Sequence, residues 1–119
     1  MGRRGDAVAL FMTRVGMPAD QLEGMRQSPI WPTFEAVAPT LAYDFAILGE
    51  DGAVPVERAA RVAVPTLVMV GGASYGFMHE TAKALANVIP NAQHRILEGQ
   101  THEAAAEAIA PVLVEFFTS

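Results

Sequence analysis

The sequence predicts an α/β fold of a single domain, with a helical half over residues 1–61 and a strand-helix-strand-helix half with a small parallel sheet over residues 62–119. Three observations predict it. Apolar residues recur at helical spacing through the first half. A nearly continuous β-branched run, Val62-Ala63-Val64-Pro65-Thr66-Leu67-Val68-Met69-Val70, then breaks that periodicity. After it come a helical stripe, a short second strand and another helical stripe, an order that demands parallel pairing through a right-handed crossover.

Each element has its own grounds. Ala7, Leu10, Phe11 and Arg14 set a helix over Asp6 to Val15, which Gly16 stops. Pro18, pre-set for a first helical position, starts a second that runs to about Gln27, with Asp20 and Glu23 favourable at the positive end of its dipole. Ser28-Pro29 breaks the chain, and Trp31-Pro32 opens a third segment carrying Phe34, Val37 and Ala38. Pro39 begins a fourth, in which Leu41, Phe45 and Leu48 form one stripe ended by Gly49, and Gly49 to Gly52 reads as an exposed turn. Beyond the first strand, Gly71 to Gly76 is a glycine-rich loop, and Met78, Ala82, Leu85 and Ile89 mark a helix closed by Pro90-Asn91. Gln93 to Leu97 is the second strand, Glu98 to Thr101 a loop, and Ala104 to Phe117 a last helix with Ile109, Leu113 and Phe117 inward.

Composition excludes several classes. With 119 residues, 51% hydrophobic and 18% charged, the chain has enough apolar surface to fold. No apolar run approaches the ~20 residues that span a bilayer, and the opening Met1-Gly2-Arg3-Arg4-Gly5-Asp6 leads into no signal-peptide core. Eight basic residues, scattered, against 13 acidic ones argue against nucleic-acid binding. Cysteine is absent, which removes disulfides and thiolate chemistry and fits a cytoplasmic protein.

Chemistry gathers in the second half. Gly72-Ala73-Ser74-Tyr75-Gly76 is a G-x-S-x-G pentapeptide directly after a strand and before a helix, the context of a nucleophile elbow. There Ser74 would project its hydroxyl from a strained turn, Gly72 and Gly76 would admit close packing, and the Tyr75 backbone N–H would face an oxyanion. A serine hydroxyl needs a base. Of the 3 histidines, His102 lies after the second strand, at the same end of the sheet as Ser74. His79 on the helix is the alternative, and His94 alternates within a strand. Glu98, Glu103 and Asp44 are candidates to orient His102. Gly71 and Gly76 also half-match a dinucleotide fingerprint with Glu98 as its acid, but Ala73 stands at the middle glycine. The plain readings are Ser74 as a helix cap, the methionines as core filler and Trp31 as a core anchor.

Taken together, Val64 to Gly72, the helix over Ala82 to Pro90, His94-Arg95-Ile96-Leu97-Glu98-Gly99 and Gln100-Thr101-His102 resemble the C-terminal portion of the α/β-hydrolase family. The resemblance identifies these segments with the penultimate strand, its helix, the last strand and the loop bearing the catalytic histidine. It implies that the first half is the helical cap and linker, and that the whole is a truncated α/β-hydrolase-like fold. The family's upstream nucleophile strand has no counterpart here, and Ser74 stands where many members carry the triad acid.

These readings lead to one expectation, a small serine esterase that cleaves simple carboxylic esters. Ser74 is its nucleophile, His102 its general base, and Trp31, Phe34 and Phe45 line an acyl pocket. No metal or organic cofactor is implied. The alternative is a non-catalytic hydrolase fragment that self-associates or is complemented by a partner. Both strands read as fully buried, so the bare edges of a two-stranded sheet call for cover, and a homodimer is expected.

Overall fold

A computed structural model describes residues 3–49 and 51–119. The chain divides into two compact units, Met1–Ala53 and Val54–Ser119. The sequence reading treats the chain as one domain and divides its halves at 61/62. The observed division falls earlier because Ala59, on a short helix the sequence reading missed, is buried in the core of the second unit.

The first unit is entirely helical. Helix α1 spans Arg4–Arg14, α2 Ala19–Arg26, α3 Trp31–Val37 and α4 Leu41–Leu48, with a 3-10 turn over Ala38–Thr40 between the last two. Gly16, at φ 99°, ends α1 as expected. Pro18 is the N-cap of α2 in extended backbone, not its first helical residue. Gly49, at φ 80°, stops α4; the turn expected to follow includes Glu50, which lies outside the described residues. Val8, Trp31 and Ala38 form the core of this unit, with Met12, Leu22, Met25 and Phe34 packed against it. Trp31 meets Phe34 edge to face at 6.3 Å, and the Arg26 guanidinium lies 5.5 Å from the Trp31 ring centre. The indole is thus the core anchor the sequence predicts.

The second unit consists of α5 (Val56–Ala59), β1 (Thr66–Gly71), α6 (Gly76–Val88), β2 (Ala92–Leu97) and α7 (Ala106–Thr118). β1 and β2 pair in parallel, Thr66 opposite Ala92 through Gly71 opposite Leu97. β1 is shorter than the apolar run because Pro65 has no N–H to donate, and the ladder begins just after it. Thr66 donates to the Asn91 carbonyl at 3.0 Å and Gly72 to the Leu97 carbonyl at 2.8 Å. Since strand residues alternate, Leu67 and Met69 direct their backbone groups away from β2. The core joins Ala59, Val68, Val70, Ala82 and Ile89, with Met78 and Leu85 of the expected stripe against it.

Two expectations need correction. β2 is not buried on both faces: Gln93, His94 and Ile96 are exposed, and only Leu97 is buried. Its polar alternation marks a strand with one face in water. On α7, Phe117 is 76% exposed and Phe116 takes the inward position instead. Helix geometry explains this, since a step of seven residues from Ile109 returns within roughly 20° of the same face and a step of eight overshoots by roughly 80°.

Candidate active site

The carboxyl ends of the two strands carry the two loops that matter. The loop after β1 is a tight turn in which the Ser74 N–H donates to the Gly71 carbonyl at 3.0 Å. The Ala73 N–H donates to the Gln100 carbonyl at 2.8 Å, which joins this loop to the one after β2. That second loop turns at Gly99, whose φ of 73° suits glycine. Side chains then hold it. Gln100 Oε1 accepts from the Ala105 N–H at 2.8 Å, and Thr101 Oγ1 accepts from the Glu103 N–H at 3.3 Å. His102 sits between those two ties, exposed.

Ser74 and His102 line one cavity of about 240 Å³, walled otherwise mainly by Met69, Val70, Met78, Leu97 and Ile109. No hydrogen bond joins them. Ser74 is among the residues lining the cavity, but its hydroxyl oxygen is buried and has no hydrogen-bond partner among the described residues. Its backbone is unstrained, because among the described residues only glycines have positive φ. The turn is therefore not the strained elbow that presents a hydroxyl to solvent.

The glycines divide in the same way. A Cβ on Gly71 would collide with the carbonyl oxygens of Thr101 and Gln100, whereas one on Gly76 would meet nothing within 4 Å. At Gly72 the nearest atoms, Ile96 Cγ2 and the Leu97 oxygen, lie at 3.4 Å. Close loop approach thus requires glycine at Gly71, which the pentapeptide reading passed over, and not at Gly76. The signal was present in the sequence as a third glycine at the strand end.

The Tyr75 N–H, at the N-cap of α6, donates to no carbonyl in the backbone network among the described residues and stays open to an acceptor. The Tyr75 ring stacks on Phe77 at 5.8 Å and lies 6.1 Å from the His102 ring, tilted by 51°. His79 is engaged elsewhere, its Nε2 donating to the Gly72 carbonyl at 3.2 Å. His94 is on the exposed face of β2. Glu98 and Glu103 are exposed, and neither carboxylate hydrogen-bonds His102; Asp44 belongs to the first unit, on α4. Trp31 and Phe34 are taken up in the first unit's core, and Phe45 borders a separate apolar hollow there with Leu10, Phe11 and Leu41. The apolar wall beside Ser74 and His102 comes from the second unit itself. Among the described residues no group of three or more His, Cys, Asp or Glu forms a metal cluster, and no helix is long and apolar enough to cross a membrane.

No family model matches the chain, and no curated protein sequence does either. A solved structure does: an α/β hydrolase from Sphaerobacter thermophilus DSM 20745 is 56% identical over 98% of this chain, with a TM-score of 0.85. The match covers 45% of that protein, so the present chain spans about half the length of its relative. The chain is related to that α/β hydrolase and has an α/β-hydrolase-like fold, built here on helices and a small parallel sheet.

Proposed function

We propose that the protein is a carboxylic ester hydrolase whose centre is the cavity shared by Ser74 and His102. The observation that carries this reading is the unpartnered hydroxyl of Ser74, a residue that lines that cavity together with His102. A buried hydroxyl without a partner costs stability, about 1–3 kcal/mol by mutational data, and a catalytic role is one reason such a group is kept. Relationship to an α/β hydrolase supports the same class. Rotation about χ1 turns the hydroxyl into the cavity. Ser74 Oγ then attacks the acyl carbon as His102 accepts the proton, and the Tyr75 N–H stabilises the oxyanion. His102 returns the proton to the departing alkoxide, and water deacylates the serine by the reverse sequence. The Met69, Met78, Leu97 and Ile109 wall receives a short acyl chain.

Hydrolysis of p-nitrophenyl acetate tests this. Ser74→Ala and His102→Ala each lower kcat by about 100-fold or more, and Ser74→Ala melts no lower than the parent because it removes an unpaired group. Equal rates in Ser74→Ala overturn the nucleophile assignment.

A second reading is favoured by the relative's greater length and by the ordinary backbone of Ser74. In it His102 serves a serine on another polypeptide segment, and this chain is a complemented module. It expects Ser74→Ala to be silent and His102→Ala to abolish activity of the complemented enzyme.

Among the described residues no strand pairs with the outer edge of β1, which is apolar, whereas β2 carries Gln93, His94 and Arg95, residues that discourage pairing. We propose that a second copy covers the β1 edge. Light scattering at micromolar concentration then gives twice the 12.7 kDa chain mass. Leu67→Pro, which removes an outward N–H without breaking a β1–β2 ladder bond, restores the single-chain mass; a parent already at that mass contradicts the dimer.

A further inference from the structure

We propose that the Tyr75 side chain is a positioning residue that holds the His102 imidazole at the cavity by ring packing. The proposal rests on His102 as general base, but its first readout is independent of activity. His102 is exposed, and among the described residues the hydrogen bond made by a histidine ring is that of His79, while no ion pair includes His102. In a triad a carboxylate restrains the base; among the described residues no carboxylate does. A free imidazole spreads over several rotamers and is aligned for proton transfer only part of the time.

Tyr75 is the one aromatic neighbour of that ring among the described residues, at 6.1 Å and 51°. Tyr75 is itself held twice. Its backbone is the extended N-cap of α6, at φ −61° and ψ 147°, and its ring is stacked on Phe77 at 5.8 Å with planes 12° apart. Phe77 is the second residue of α6, so the row Phe77, Tyr75, His102 transmits the rigidity of a helix start to an imidazole on a neighbouring loop. The polar work of Tyr75 lies in its main-chain N–H, which side-chain substitution leaves in place. Its ring is therefore separable from any oxyanion role.

The test uses isotope-labelled chain and two variants, Tyr75→Leu and Tyr75→Phe. In the parent, nuclear Overhauser contacts join the Tyr75 ring protons to the His102 ring protons, whose resonances are displaced by the ring current. Tyr75→Phe keeps both features. Tyr75→Leu loses both, with the remaining amide spectrum unchanged. In p-nitrophenyl acetate hydrolysis, Tyr75→Leu lowers kcat about 10-fold with KM within about two-fold, and Tyr75→Phe restores the parent rate. Should Tyr75→Leu not fold, Phe77→Leu removes the stack behind Tyr75, and the same loss of His102 ring-current displacement is expected. His102 resonances unchanged in Tyr75→Leu, or in its substitute Phe77→Leu, overturn the proposal. A parent chain that hydrolyses nothing overturns the hydrolase reading and leaves the spectroscopic result to decide the packing.

Discussion

The loops after β1 and β2 are adjacent and joined by a main-chain bond, yet only the second is also tied by its own side chains. The first is fastened by main-chain bonds, from Gly72 to Leu97, Ala73 to Gln100 and Ser74 to Gly71, and it hides its serine hydroxyl. The second adds side-chain ties, through Gln100 and Thr101, to its main-chain bonds at Gln100, and it displays its imidazole. A loop held by its backbone tolerates most side chains except where a Cβ would strike another backbone. A loop held by side chains depends on their identity. The contrast assigns the constraint at this end of the sheet to Gly71 on one side and Gln100 on the other.

The largest effect is expected at Gly71. Gly71→Ala drives a Cβ into two carbonyl oxygens that cannot move without dragging both loops, and it costs about 3 kcal/mol, read as a fall in denaturation midpoint. Gly76→Ala, in open space at the start of α6, is neutral or stabilising by less than about 1 kcal/mol. Equal behaviour of the two variants removes the distinction between close approach and motif.

A smaller effect is expected at Gln100. Gln100→Leu loses the acceptor for the Ala105 N–H and costs about 1 kcal/mol, while Gln100→Glu keeps an acceptor at the same reach and costs less. Proteolysis of the Glu98 to Ala105 loop reports the same order, with Gln100→Leu cut fastest. If Gln100→Leu is cut no faster than the parent, the loop is not held by that side chain.

Much of the second unit was legible because its signals are local. Val68 and Val70 announce a buried strand, Met78, Ala82, Leu85 and Ile89 a helix, and Gln100-Thr101-His102 a loop. What escaped depends on distant groups. α5 is too short for periodicity to mark, and Phe116 and Phe117 differ only by the phase of a helix. G-x-S-x-G names residue types and says nothing of φ at Ser74 or of what its hydroxyl meets. Gly71 stood in plain view, but its reason, the approach of the Gln100 and Thr101 backbone, exists only once the loops are folded together. The Tyr75 ring beside His102 is likewise a contact between residues on different loops.

The central claim is that the buried Ser74 hydroxyl is the nucleophile His102 activates. Mass spectrometry of the chain after exposure to a fluorophosphonate tests it most directly. The account predicts one covalent phosphonyl group on the peptide containing Ser74, formed slowly because the hydroxyl must first rotate out, and absent in His102→Ala. An unmodified Ser74 peptide under conditions that label a reference serine esterase to completion would contradict it.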